Sequence, residues 1–286
     1  MPLLPSPPLD PELLRLERVA VSEAGPLEAL VPATEAYRCR DPQAPVLVGV
    51  HGFAVNGLTF LRQLPLGGQA DLHFPHLPNA PVSGERGIGH FARGIEAYIA
   101  ARELDRRPGG LVLVGTSMGG AVSLAVASRG RVKLRGLVLI CTYGSSKHLA
   151  LWKRWAAPLV YGIPVALFHA AGKWLVRRTA RFDTFSPGEG DWMVQGIDVR
   201  TREYLGRAAC ALTRLDLLEE ARRLTVPTLV VHGRNDHILP YAAGVELAQV
   251  IPGARMCSLE GAGHAVFFVR HEEVNTALAQ FLATLP

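Results

Sequence analysis

Cysteine is scarce in this chain. Its four residues, Cys39, Cys141, Cys210 and Cys257, are scattered, and no two stand at a Cys-x-x-Cys spacing. That argues against a disulfide framework and against structural metal, and it predicts a reducing, cytoplasmic setting. Charge is low too. Charged residues make up 19% of the 286 and hydrophobic residues 49%, and long polar or single-sign blocks are absent. Such a composition excludes a disordered chain and supports a sizeable core. The net charge of +5 is modest, and no zinc-type, RNA-binding or helix-turn-helix pattern accompanies it. No nucleic-acid partner is therefore expected. The Pro-rich start, MPLLPSPPLDPELL, lacks the basic and continuously apolar stretches of a signal peptide and reads as an extended arm. The longest apolar run, Trp155 to Gly172, is interrupted by Pro158, Gly162 and Pro164. Those breaks argue against a membrane span.

What is present is a series of short apolar runs: Pro45 to Val50, Leu111 to Val114, Leu137 to Ile140 and Thr228 to Val231. They are apolar throughout rather than alternating, as strands covered on both faces of a parallel sheet would be. Leu16 to Val21, Glu35 to Cys39 and Arg255 to Leu259 are weaker strand candidates. Helical spacing appears between them. Phe91, Ile95, Tyr98 and Ile99 share one face, as do Val274, Leu278, Phe281 and Leu282. Gly119 to Ser128 is small and apolar, as a helix buried against a sheet would be. The alternation predicts an α/β fold with a mostly parallel sheet flanked by helices.

The strand rhythm stops from Tyr143 to about Ala211. This segment holds all four tryptophans and ten Lys and Arg against five acids, which equals the whole chain's surplus of positive charge. A lobe over 143–211, inserted into a core of 1–142 and 212–286, is the expected organisation.

Gly115-Thr116-Ser117-Met118-Gly119 follows a strand run directly and opens a helix-like segment. A serine at a sharp strand-to-helix turn must hold a strained backbone, and the residues two positions away must be small, because strand and helix pass close together. The turn raises the hydroxyl off the sheet and sets helix N-terminal amides beside it. The partners that a nucleophilic serine needs follow in order. Asp236 lies in a loop after the Thr228–Val231 run, and His264 follows the last strand candidate.

With GTSMGG, the acid loop GRNDHILP (Gly233 to Pro240) and GAGH, the chain resembles the α/β-hydrolase superfamily, nearest its cap-bearing enzymes. The resemblance implies a catalytic triad of Ser117, Asp236 and His264, with Asp236 fixing the imidazole tautomer. It makes 143–211 a helical cap. His51-Gly52-Phe53 is similar to the family's His-Gly-x turn, which implies oxyanion donors at the backbone amides of Phe53 and Met118 and a structural place for His51. Residues 70–84 occupy the position of a Gly-rich family loop but lack its glycines. His73, His76 and His90 fall in that variable loop region and are expected in exposed or turn positions.

This chemistry calls for no metal and no organic cofactor. The expected activity is hydrolysis of small to medium, partly apolar carboxylic esters through an acyl-enzyme. Carbon–carbon bond hydrolysis, thioester hydrolysis or acyl transfer uses the same triad, and a ligand-binding receptor on the same fold is the reading from another class. Trp152, Trp155, Phe168, Arg177 and Arg181 in the lobe are the candidate substrate contacts. The expected partner is a small-molecule ester, and the lobe's apolar surface leaves open a homodimer or a lipid interface.

Overall fold

The apolar runs pair into one sheet. The computed structural model describes residues 15–17, 34–39, 41–78, 87–149, 151–179, 197 and 201–286. The strands are β1 (Arg15–Glu17), β2 (Thr34–Arg38), β3 (Val46–Val50), β4 (Asp71–Pro75), β5 (Leu111–Thr116), β6 (Gly136–Ile140), β7 (Thr228–Gly233) and β8 (Arg255–Leu259). Their order is β1-β2-β4-β3-β5-β6-β7-β8. From β4 to β8 every neighbouring pair is parallel, whereas β1 and β2 are antiparallel additions at one edge.

The four clear runs are buried at every residue of β3, β5, β6 and β7 because helices cover both faces. Val46, Val48 and Val50 point into one layer with Leu111, Leu113, Leu137 and Leu139. There they meet α1 (Ile88–Ala101) through Phe91, Ile95 and Ile99, and α2 (Met118–Arg129) through Val122 and Val126. The intervening Leu47, Val112, Val114 and Val138 point into the other layer, which includes Phe60, Val274, Leu278 and Phe281. The period-two pleat thus divides each run between two cores. Each fully buried Leu, Ile, Val or Phe side chain contributes about 1.5–3 kcal/mol relative to an exposed one.

One expectation is corrected. Asp71–Pro75, read as part of a loop, is strand β4. Its sequence, DLHFP, alternates around Leu72 and Phe74 and ends in proline, so it carries no continuous apolar run. Asp71 is anchored by Arg107 at 2.9 Å. The exposed or turn placement of His73 and His90 is corrected with it. His73 lies in β4 with Nδ1 2.8 Å from the Tyr98 hydroxyl, and His90 is buried in α1. Between β6 and β7 the chain forms α3 (Leu151–Ala156), α4 (Val165–Thr179), α5 (Arg202–Thr213) and the short α6 (Leu218–Ala221). After β7 come α7 (Tyr241–Val250), α8 (Val266–Val269) and α9 (His271–Thr284). Among the described residues no helix is long and apolar enough to cross a membrane.

Candidate active site

Strand order places the site. The chain leaves β3 for β4 on one side, then returns to β5 on the other. Such a reversal opens a crevice beyond the carboxyl ends of the strands. The loop after β3 and the turn after β5 flank it. Ser117 occupies that turn with φ 53° and ψ −120°, a conformation that costs about 1–3 kcal/mol for a residue with a side chain. The surroundings hold it there. Its N–H donates to the Ile140 carbonyl at 2.9 Å, and its carbonyl accepts from Thr142 Oγ1 at 2.6 Å. The small neighbours are required by space. A Cβ on Gly119 would collide with the Val50 carbonyl, and one on Gly115 with the backbone of Gly119.

The loop after β3 approaches closely. A Cβ on Gly52 would lie 3.4 Å from that of Ser117. His51 is buried and serves the turn. Its Nε2 accepts from the Leu77 N–H at 3.0 Å, which leaves Nδ1 to donate to the Gly52 carbonyl at 2.9 Å. Met118 opens α2, so its N–H has no carbonyl one helical turn earlier to bond.

Asp236 and His264 meet across the loops after β7 and β8, with His264 Nδ1 2.7 Å from Asp236 Oδ2. The other carboxylate oxygen accepts the N–H groups of Ile238 at 2.8 Å and Leu239 at 2.9 Å. Burial pushes this carboxyl up. The His264 charge, the hydrogen bonds from His232 and His264 and the Leu239 amide outweigh burial and hold Asp236 well below the usual carboxylate range. Contacts tie this pair to the serine's edge of the sheet. Cys141, next to the Ile140 that receives the Ser117 N–H, has its Sγ 3.9 Å from the Gly263 carbonyl beside His264.

His232 is a residue that the sequence reading passed over. It is wholly buried at the end of β7, with Nε2 3.3 Å from Asp236 Oδ2 and 3.2 Å from the Leu239 carbonyl. Facing two acceptors, Nε2 must carry the proton. Nδ1 is buried without a partner, against Gly244 of α7. Asp236 therefore sits between two imidazoles. The available signal was a histidine closing an apolar strand four residues before the acid.

A cavity of about 370 Å³ opens over Ser117, with a lining that includes Phe53, Met118, Tyr143, Val160, Phe168 and Leu212. Trp152 also lines it, whereas Trp155 lines a separate groove between α3 and α5. Arg177 falls in α4, but its side chain lies outside the described set, and Arg181 lies outside the described residues. Tyr143, Leu149, Leu212 and Ile238 join the lining without having been singled out in the sequence. Tyr143, Leu149 and Leu212 lie near the two ends of the connection between β6 and β7, and Ile238 lies in the loop after β7. An isolated antiparallel bridge between Val55 and Ile197 brings the lobe back to the loop after β3.

The chain matches the alpha/beta hydrolase family over residues 46–277. It is 30% identical over 227 residues to polyketide synthase ThaQ of Burkholderia thailandensis, covering 73% of this chain but only 10% of ThaQ's length. It is 27% identical over 250 residues to a pimeloyl-[acyl-carrier protein] methyl ester esterase of Vibrio parahaemolyticus, covering 84% of this chain and 94% of that protein. The fold superposes on a thermophilic esterase from Thermogutta terrifontis with a TM-score of 0.71 at 22% identity, over 94% of this chain and 98% of the other. With the six-stranded parallel sheet already described, these matches show that the chain belongs to the alpha/beta hydrolase family, as an enzyme with esterases among its homologues.

Proposed function

We propose that the chain hydrolyses carboxylic esters through an acyl-enzyme, with Ser117 as nucleophile, His264 as general base and Asp236 as its orienting acid. The observation that carries this reading is the strained Ser117 turn on the same sheet edge as the 2.7 Å Asp236–His264 pair. His264 takes the Ser117 proton as the oxygen attacks the ester carbonyl. The amides of Phe53 and Met118 receive the oxyanion, and each such donor contributes about 10²–10³ in rate. His264 then gives its proton to the leaving alkoxide. Water, deprotonated by His264, releases the acid and restores the serine. Residues 143–211 act as the cap that walls the acyl pocket.

The cavity supports an uncharged, partly apolar acyl group. Among its described lining residues no side chain is charged. That favours ester hydrolysis over carbon–carbon cleavage of a carboxylate-bearing diketone. A homologue named for an acyl-carrier methyl ester supports the same class of bond.

The test is a burst experiment with para-nitrophenyl esters of graded acyl length, on wild type and Ser117→Ala. A stoichiometric burst followed by turnover, absent from the mutant, is the expected result. A folded wild type with neither would overturn the reading.

A further inference from the structure

The lobe's outer surface inverts the usual pattern of a surface helix. Leu151, Trp152 and Trp155 share one side of α3, and all are exposed. Leu159 follows in the 3-10 segment Ala157–Gly162, 72% exposed. On α4, Leu167 and Trp174 stand seven residues apart on one face, with exposed Ala170 and Ala171 between them. An apolar stripe at helical spacing ordinarily faces a core, and a contiguous exposed patch marks a surface that meets something.

The charge pattern says what. From Lys147 to Thr179 the chain carries six cations and no aspartate or glutamate. Lys147 is paired with Glu246 of α7. Arg154 and Lys173 are exposed within the patch itself. Arg154 also lines the groove of about 430 Å³ together with Arg214, and Leu151, Trp155 and Pro158 form its apolar wall. Tryptophan and leucine rimmed by cations suit a headgroup boundary, where hydrocarbon and negative charge lie within a few ångströms of each other. A second copy of this chain fits poorly, because a two-fold contact through this face would set the same acid-free stretch against itself. The patch also reaches the site. Trp152 and Ile238 are both exposed and both line the cavity over Ser117.

We propose that the outer face of residues 151–174 docks on anionic lipid surfaces, with the mouth of the Ser117 cavity turned toward the lipid. The docking stands on the surface alone. The corollary, that acyl chains enter the cavity directly from the lipid, rests on the esterase reading.

Co-sedimentation of the full chain, as Ser117→Ala so that nothing is hydrolysed, tests the docking with two vesicle preparations. One is phosphatidylcholine alone and the other an equimolar phosphatidylcholine–phosphatidylglycerol mixture. Binding is expected to the mixed vesicles, with blue-shifted tryptophan emission and weakening as salt rises. Arg154→Glu with Lys173→Glu should weaken the partition roughly 25-fold or more, at about fivefold for each charge near such a surface. Leu159→Ser with Leu167→Ser should abolish the emission shift while the melting transition persists. Failure to sediment, or sedimentation indifferent to both variant pairs, overturns the proposal. So does a dimer by light scattering that Leu159→Ser with Leu167→Ser dissociates. Turnover of soluble nitrophenyl esters without vesicle binding would sink the docking and keep the esterase. Binding without turnover would do the reverse.

Discussion

The two ends of the parallel strands solve the same steric problem differently. At the amino end the left-handed turns before β5, β6 and β8 are made by Gly110, Gly130 and Gly253, with φ of 74°, 61° and 69°. Glu103 is the exception there, in an ordinary left-handed position (φ 51°, ψ 34°) just past α1. At the carboxyl end glycines take such angles after β4 and β8, at Gly87 and Gly261, but Ala54, Ser117 and Cys141 hold φ of 59°, 53° and 45° with side chains in place, after β3, β5 and β6. The amino end is also settled electrostatically. Arg107 pairs with Asp71, Arg135 donates to the carbonyls of Gly109, Leu285 and Pro286, and both arginines line a cleft of about 910 Å³. The carboxyl end instead opens a smaller, apolar cavity over a strained serine. Three of the four non-glycine residues at positive φ thus lie on the carboxyl side, around the serine turn.

The comparison is broken most severely at the serine. Ser117→Ala should keep the fold and lower kcat by about 10⁴-fold or more, read as loss of both burst and turnover. Asp236→Asn should lower kcat by about 10⁴, because its amide oxygen stays with the Ile238 and Leu239 N–H groups and its NH2 then faces His264 Nδ1, forcing the wrong imidazole tautomer. Retention of wild-type turnover by either variant would remove the proposed triad.

Legibility followed burial. The runs that became β3, β5, β6 and β7 stood out because both faces are covered, and apolar sequence is then continuous. β4 escaped because its first residue is an anchored aspartate and its last a proline. The serine turn, the acid loop and the histidine loop were readable because each couples a chemical residue to small or turn-forming neighbours at fixed spacing. The second imidazole on Asp236 was not readable in that way. Its role depends on a fold of the chain between His232 and Leu239 that returns a carbonyl and a carboxylate to one ring nitrogen. The cavity lining is assembled from the β3 loop, the β6 exit, α3, α4, α5 and the acid loop, and no single stretch of sequence announces it.

The next effect in size concerns that second imidazole. A hydrogen bond to a charged group is worth about 1.5–3 kcal/mol, so His232→Leu should lower kcat roughly 10–100-fold with KM little changed. A pH series separates positioning from packing. Asp236 has a depressed folded pKa, so its stability contribution is fully present above the ordinary carboxylate value near ~3.9 and is lost as pH falls toward the folded value. Removing His232 raises that folded value and shrinks the contribution. The gap in melting temperature between wild type and His232→Leu should therefore be full at neutral pH and close only as pH falls from the variant's folded value toward the lower wild-type one. A gap that stays constant with pH would assign His232 to packing alone.

The smallest effects test the asymmetry of strain directly. Gly110→Ala places a Cβ at a left-handed position against the Arg135 side chain, and should cost about 1–2 kcal/mol of stability with kcat unchanged. Ser117→Gly works in the opposite direction. It removes the nucleophile, but it also frees the turn from about 1–3 kcal/mol of backbone strain. The extra entropy of an unfolded glycine offsets up to about 1 kcal/mol of that. The net gain of about 1 kcal/mol should raise the melting temperature by roughly 2–4 °C in a chain of this size, while Ser117→Ala, which keeps the strained angle, should gain less. If both serine variants melt at the wild-type temperature, the turn stores no strain, and the contrast between the two ends of the sheet reduces to which residues evolution happened to place there.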